Sequence, residues 1–87
     1  MNIEFDPSKA KFNLRKHGVS FDEAVTALFD PMALSTEDPA AEGESRWVLV
    51  GMSHLGCLLT VVYTLRNERI RIISARRSTR RETKDYA

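Results

Sequence analysis

Eight cationic side chains crowd into residues 66–87 of this 87-residue chain: Arg66, Arg69, Arg71, Arg76, Arg77, Arg80, Arg81 and Lys84. Only Glu68, Glu82 and Asp85 oppose them, so the segment is net +5, while residues 1–65 hold five basic and nine acidic side chains and are net −4. The formal charge of the whole chain, +1, conceals this separation. A guanidinium presents a planar fork of N–H donors that matches a phosphate bidentately, and it keeps its charge at neutral pH. The C-terminal quarter is therefore built to attract a polyanion. For proton transfer the obvious group is His17, whose ordinary pKa lies close to neutrality. A histidine at a helix C-terminus is also a common cap that interacts favourably with the helix dipole, and both readings stand. His54-Leu55-Gly56-Cys57 provides an H-x-x-C pair, but two ligands do not complete a zinc site, so no metal is expected. Neither a G-x-S-x-G elbow nor a phosphate-binding G-x-x-x-x-G-K loop occurs.

These residues need elements to hold them. Residues 3–5 alternate and suit an edge strand. Asp6-Pro7 then opens a helix, with Asp6 as cap and Pro7 at the first helical position, running to about His17 before Gly18. Ala10, Leu14 and His17 share one face of it. A second helix begins at Ser20, where Ser20 and Glu23 form a capping box and Val19 with Ala24 a hydrophobic staple. Phe21, Ala24, Val25, Leu28 and Phe29 make its apolar face, and Asp30-Pro31 ends it. Residues 32–36 are a weak strand and 37–45 an acidic loop. Residues 46–53, 58–65 and 69–75 are strong strand candidates joined by short turns, so consecutive strands pair antiparallel. Strict alternation in the last strand sends Ile70, Ile72 and Ser74 to one face and Arg69, Arg71, Ile73 and Ala75 to the other. Thr79 and Glu82 form a second capping box that starts a C-terminal helix. Arg80 and Arg81 occupy its already positive first turn, a conflict that an anion would relieve. Trp47, Phe12, Phe21 and Phe29 read as core or interface aromatics.

With 43% hydrophobic and 29% charged residues, the composition is that of one small globular domain, residues 1–87, which buries little surface for its size and gains from a partner chain. No run of 18 apolar residues is present, so no membrane span is expected. The N-terminus lacks a basic and then apolar leader, and the one cysteine, Cys57, suits a reducing cytoplasm.

The order of motifs carries a resemblance. Phe5-Asp6-Pro7 with Lys9 comes first, then Asn13-Leu14-Arg15-Lys16-His17-Gly18-Val19-Ser20-Phe21 with Ala24, then Asp30-Pro31. Arg46-Trp47 with Gly51 and Leu58-Leu59 with Val61-Val62-Tyr63-Thr64 follow. The series closes with Arg69-Ile70-Arg71-Ile72-Ile73-Ser74-Ala75-Arg76-Arg77, then Thr79, Arg81-Glu82 and Tyr86. In these segments the chain resembles the BrnT toxin family, the ribonuclease half of a type II toxin–antitoxin pair. The resemblance implies a RelE-like α+β fold: a twisted antiparallel sheet with two N-terminal helices packed on one face and a short C-terminal helix. It implies metal-independent RNA cleavage that arrests translation, with no cofactor. It also implies a BrnA-like antitoxin whose DNA-binding region brings the complex to its promoter, in a dimer or heterotetramer.

Cleaving RNA without a metal requires the 2′-OH to lose a proton, the phosphorane charge to be neutralised and the leaving 5′-oxygen to gain a proton. On that basis Arg71, Arg76, Arg80, His17 and Tyr86 are the candidate catalytic residues. Lys16, Arg77, Arg69, Arg81 and Lys84 are the candidate phosphate contacts. Tyr86 suits base stacking or a phosphate hydrogen bond, and equally suits packing of the last helix onto the sheet. Glu82 is accounted for by its capping box. The competing readings are a nucleic-acid module that binds without cutting and a domain that only receives an antitoxin.

Overall fold

The computed structural model describes residues 2–86. In chain order the elements are β1 (Asn2–Glu4), α1 (Pro7–His17), α2 (Phe21–Leu28), β2 (Leu34–Glu37), β3 (Arg46–Met52), β4 (Leu58–Arg66), β5 (Arg69–Arg77) and α3 (Arg80–Lys84). The strands form one five-stranded sheet in the order β1-β5-β4-β3-β2. This is the expected α+β arrangement with one departure. The short β1 lies parallel to β5, pairing Ile3 with Ile70, so the sheet is mostly rather than wholly antiparallel.

Local chemistry accounts for the element boundaries. Asp6 Oδ1 accepts the Ser8 N–H at 2.8 Å, Pro7 follows the cap, and Gly18 closes α1 at φ 72°, donating its N–H to Leu14 O at 2.8 Å. Ser20 Oγ accepts the Glu23 N–H at 3.0 Å and starts α2. The reciprocal half of the expected box is absent, because Glu23 Oε2 instead accepts the Ser53 hydroxyl at 2.7 Å and ties α2 to the end of β3. The β4–β5 hairpin turns on two residues, Asn67 at φ 51° and Glu68 at φ 64°, the geometry of a type I′ turn whose twist suits the flanking strands.

Both long helices cover one face of the sheet. Val19, Phe21, Ala24 and Ala27 pack on Leu59, Val61, Ile72 and Ala75, and Phe5 meets Phe21 edge-on with centroids 5.3 Å apart. A second cluster, Leu49, Tyr63 and Ile70, continues the core towards β3. Fully burying the larger of these side chains, Phe21, Leu59, Val61 and Ile72, contributes roughly 1.5–3 kcal/mol each. Gly51 permits the closest approach, since a Cβ there would stand 2.6 Å from Ala27 O on α2. Leu14 is 51% exposed and Phe29, on the apolar side of α2, is 65% exposed, so both stand outside the core that Phe21, Ala24 and Ala27 enter.

The inward residue of α1 is Asn13, 4% exposed. Its side-chain nitrogen donates to Val19 O at 2.9 Å and Ala75 O at 2.8 Å, while its oxygen accepts the Ala75 N–H at 3.1 Å. Strand β1 ends at Glu4, opposite Arg71, and leaves the rest of the β5 edge without a strand partner. The Asn13 amide takes the place of that partner at Ala75, satisfying groups that burial would otherwise orphan.

Candidate functional site

The decisive local feature is an irregularity in β5. Val62 pairs with Ser74, but the next residue of β4, Tyr63, pairs with Ile72, so Ile73 is an extra residue on β5. This is a β-bulge, and it inverts the alternation beyond it. Ile70, Ile72 and Ala75 are all buried against the helices. Ser74 is thereby moved to the opposite face, correcting the strict alternation expected from sequence. Regular pleating would send Arg71 and Arg76 to opposite faces. With the bulge, Arg69, Arg71, Ser74 and Arg76 share the face away from α1 and α2, and Arg77 is sent to the helix side, exposed at the strand end.

The same face receives α3. Thr79 Oγ1 accepts the Glu82 N–H at 3.2 Å, and Glu82 Oε1 accepts the Thr79 N–H at 2.8 Å, completing the expected capping box. The carboxylate does more than cap. Arg76 donates through Nη1 to Oε1 and through Nη2 to Oε2, each at 2.8 Å, and the Thr60 hydroxyl donates to Oε1 at 3.0 Å. The Arg76 guanidinium, with the Thr79 N–H and Thr60 hydroxyl, holds the Glu82 carboxyl at about 2, well below its ordinary 4.5. Arg76 is thus a clasp that docks the first turn of α3, with Arg80 and Arg81, onto the arginine face.

The remaining cations differ in how free they are. Arg71 lies 4.0 Å from Glu4 across the β1–β5 pairing, a loose contact for an ion pair. Arg66 forks onto Glu44 at 3.0 and 3.2 Å. Among the described residues Arg69, Arg77, Arg80, Arg81 and Lys84 have no carboxylate within salt-bridge distance. Tyr86 follows α3, and its hydroxyl donates to Asp30 Oδ2. Asp30 also accepts the Met52 N–H at 2.7 Å and the Met32 N–H at 3.0 Å. These bonds, led by the one from Tyr86, lower the Asp30 pKa, and the same contact raises that of the phenol. The geometry gives Tyr86 an anchoring role at the α2–β2 connection.

Lys16 and His17 sit elsewhere, at the last turn of α1. They line a hollow of about 230 Å³ together with Lys9, Phe12, Ile73 and Ser74. Ser74 belongs both to this hollow and to the arginine face, so the bulge joins the two cationic regions. Phe12, expected in core or interface, is 62% exposed there, with Lys16 Nζ 5.8 Å from its ring centroid. Sequence reasoning missed the contributions of Lys9, Ser74 and Asn13. Lys9, Phe12, Asn13 and Lys16 recur at i, i+3, i+4 and i+7, a helical face legible in retrospect.

Among the described residues no three His, Cys, Asp or Glu side chains converge as metal ligands. His54 faces α2, where its N–H donates to Thr26 Oγ1 at 3.0 Å. Among the described residues no helix is long and apolar enough to cross a membrane.

Comparison with known proteins adds the context for this geometry. No curated protein matches the chain. The crystal structure of the Brucella abortus ribonuclease toxin BrnT superposes with a TM-score of 0.66 at 22% identity, covering 92% of this chain and 99% of that one, a likeness of fold. Residues 5–82 match the family described as ribonuclease toxin, BrnT, of type II toxin–antitoxin system. With nearly its whole length inside that match, the chain belongs to the BrnT family of ribonuclease toxins of type II toxin–antitoxin systems.

Proposed function

We propose that this toxin cuts RNA by internal transesterification without a metal ion, on the face that the β5 bulge assembles. The observation that supports the reading is the face that Arg71, Ser74 and Arg76 share on β5, with α3 docked through Arg76 at one end of it and Ser74 also lining the hollow that contains His17. In the reaction the 2′-oxygen attacks the adjacent phosphorus, the bond to the 5′-oxygen breaks, and a 2′,3′-cyclic phosphate remains. The attacking hydroxyl gives up one proton, and the leaving oxygen takes one. His17, in the hollow next to that face, is the candidate to exchange those protons. Arg71 and Arg80 neutralise the charge that develops on the phosphorane, the task for which fixed guanidinium donors are most effective. Arg69, Arg81, Lys84 and Lys16 extend the cationic track along the backbone of the RNA, while Arg77, turned to the helix side, lies outside it. Arg76, committed to Glu82, acts as a positioning residue through α3.

A type II toxin implies a cognate antitoxin and an RNA substrate. In our reading the RNA is one whose cleavage arrests translation in the cytoplasm. The antitoxin is BrnA-like, assembles with the toxin as a dimer or heterotetramer, and carries the DNA contact that represses the shared promoter. The test is cleavage of a defined single-stranded RNA by purified protein in excess EDTA, with the product ends identified. Cyclic phosphate ends, and complete resistance when the nucleotide 5′ to the cut is 2′-deoxy, are expected. Cleavage that needs added divalent metal, or that proceeds on the deoxy substrate, overturns the mechanism.

A further inference from the structure

The hollow beside the bulge has a composition that core packing does not explain. Phe12 leaves 62% of its surface in solvent on a helix whose partners are otherwise supplied by Asn13 and Ala10. Two lysines flank it on the same helical face, Lys9 one turn before and Lys16 one turn after, and the Lys16 ammonium lies over the ring. An exposed aromatic face between cations is the combination that recognises a nucleotide. The ring offers a surface to any base, and the ammonium groups offer charge to the phosphates on either side.

We propose that this hollow is a nucleotide subsite for single-stranded RNA, in which one base stacks on Phe12 while the neighbouring phosphates rest on Lys9 and Lys16. The inference rests on the ribonuclease reading above and extends it by naming where the strand is gripped next to the scissile linkage. Ser74 fixes the relation between the two places. It lines the hollow and stands between Arg71 and Arg76 on the reactive face, so a strand whose base is held on Phe12 continues past Ser74 towards the arginines. Stacking is indifferent to which base is present, so the subsite contributes affinity and register rather than strong sequence preference. The net positive charge of its rim favours RNA over an apolar protein segment as occupant.

The experiment measures binding of a fluorescein-labelled single-stranded oligoribonucleotide, made uncleavable by 2′-O-methyl groups, to the full chain by fluorescence anisotropy. Phe12→Ala is expected to weaken binding roughly ten- to a hundredfold. Phe12→Tyr keeps the affinity, because the stacking surface survives. Lys9→Ala with Lys16→Ala weakens binding and flattens its salt dependence, whereas Phe12→Ala leaves that slope alone. Phe29→Ala serves as control, removing an aromatic of equal exposure outside the hollow with no effect on binding. Unchanged affinity in Phe12→Ala, while the native chain binds and cuts RNA, overturns the subsite and leaves the ribonuclease mechanism standing. Loss of affinity for the antitoxin rather than for RNA assigns the face to that protein and equally overturns it. A native chain that neither binds nor cuts RNA removes both proposals together.

Discussion

Replacing Glu82 with glutamine tests how α3 is held on the sheet. The substitution keeps the size of the side chain and an oxygen for the Thr79 N–H and Thr60 hydroxyl, but removes the charge that Arg76 grips at 2.8 Å on both oxygens. The Glu82 carboxyl titrates at about 2 in the folded chain against 4.5 ordinarily. At about 1.4 kcal/mol per pH unit this displacement corresponds to about 3 kcal/mol of stabilisation in the fully shielded limit. The Arg76 and Glu82 side chains are 38% and 24% exposed, so water screens the pair and the expected loss is nearer 1–2 kcal/mol, by order of magnitude. Because the folded pKa is the lower one, the contribution is complete above 4.5 and fades as pH falls towards about 2. Urea unfolding followed by the fluorescence of Trp47, the single tryptophan, reads the difference directly. Glu82→Gln is expected to be less stable than the native chain at pH 7 and indistinguishable from it once the carboxyl is protonated. A gap that persists unchanged through that range, or no gap at pH 7, refutes the clasp.

Two further substitutions probe the scaffold beneath the site. Asn13→Ala strips the amide that satisfies Ala75 on both its backbone groups and Val19 O, leaving buried polar atoms unpaired. Such groups cost about 1–3 kcal/mol each, so a loss of roughly 3 kcal/mol in urea unfolding is expected, and a loss below about 1 kcal/mol contradicts the strand-substitute role. Gly51→Ala drives a methyl to 2.6 Å from Ala27 O, and α2 must shift to admit it. The expected cost is about 1–3 kcal/mol with a fall in melting temperature, and an unaltered melt shows that the helix approaches β3 less closely.

How far the amino-acid order foretold this molecule depends on the range of the interaction. Asp6, Pro7 and Gly18 bound α1, Ser20 starts α2, and Thr79 with Glu82 starts α3, all as the local motifs indicate, because each cap acts within a few residues. The strand candidates were legible for the same reason, as runs of Val, Ile and Leu punctuated by turns. The site itself was only half legible. Its arginines are conspicuous by composition, but their common face depends on the extra residue at Ile73, a property of the pairing between β4 and β5 that no window of one strand contains. Asn13 reads as an ordinary polar helix residue until Ala75, far along the chain, is brought beside it. Glu23 was diverted from its box by Ser53, and Arg76 was taken from the free cations by Glu82, both through contacts of tertiary origin. Phe12 reads as core or interface because aromatics are large and apolar, and the core half of that reading fails because the inward side of α1 belongs to its neighbour Asn13.

The guanidinium groups of β5 and α3 are the centre of the proposed chemistry. Its most direct test is the single-turnover rate of RNA cleavage in EDTA for the native chain and for Arg71→Ala combined with Arg80→Ala, at protein concentrations that saturate binding. Arg80 is exposed and Arg71 is partly buried with one loose contact to Glu4, so unfolding should stay within about 1 kcal/mol of the native value. A fall in rate of at least about a hundredfold with the fold intact is predicted, since losing preorganised donors to a developing oxyanion has this size of effect. Cleavage at the native rate by that doubly substituted chain would show that the chemistry resides elsewhere on the molecule.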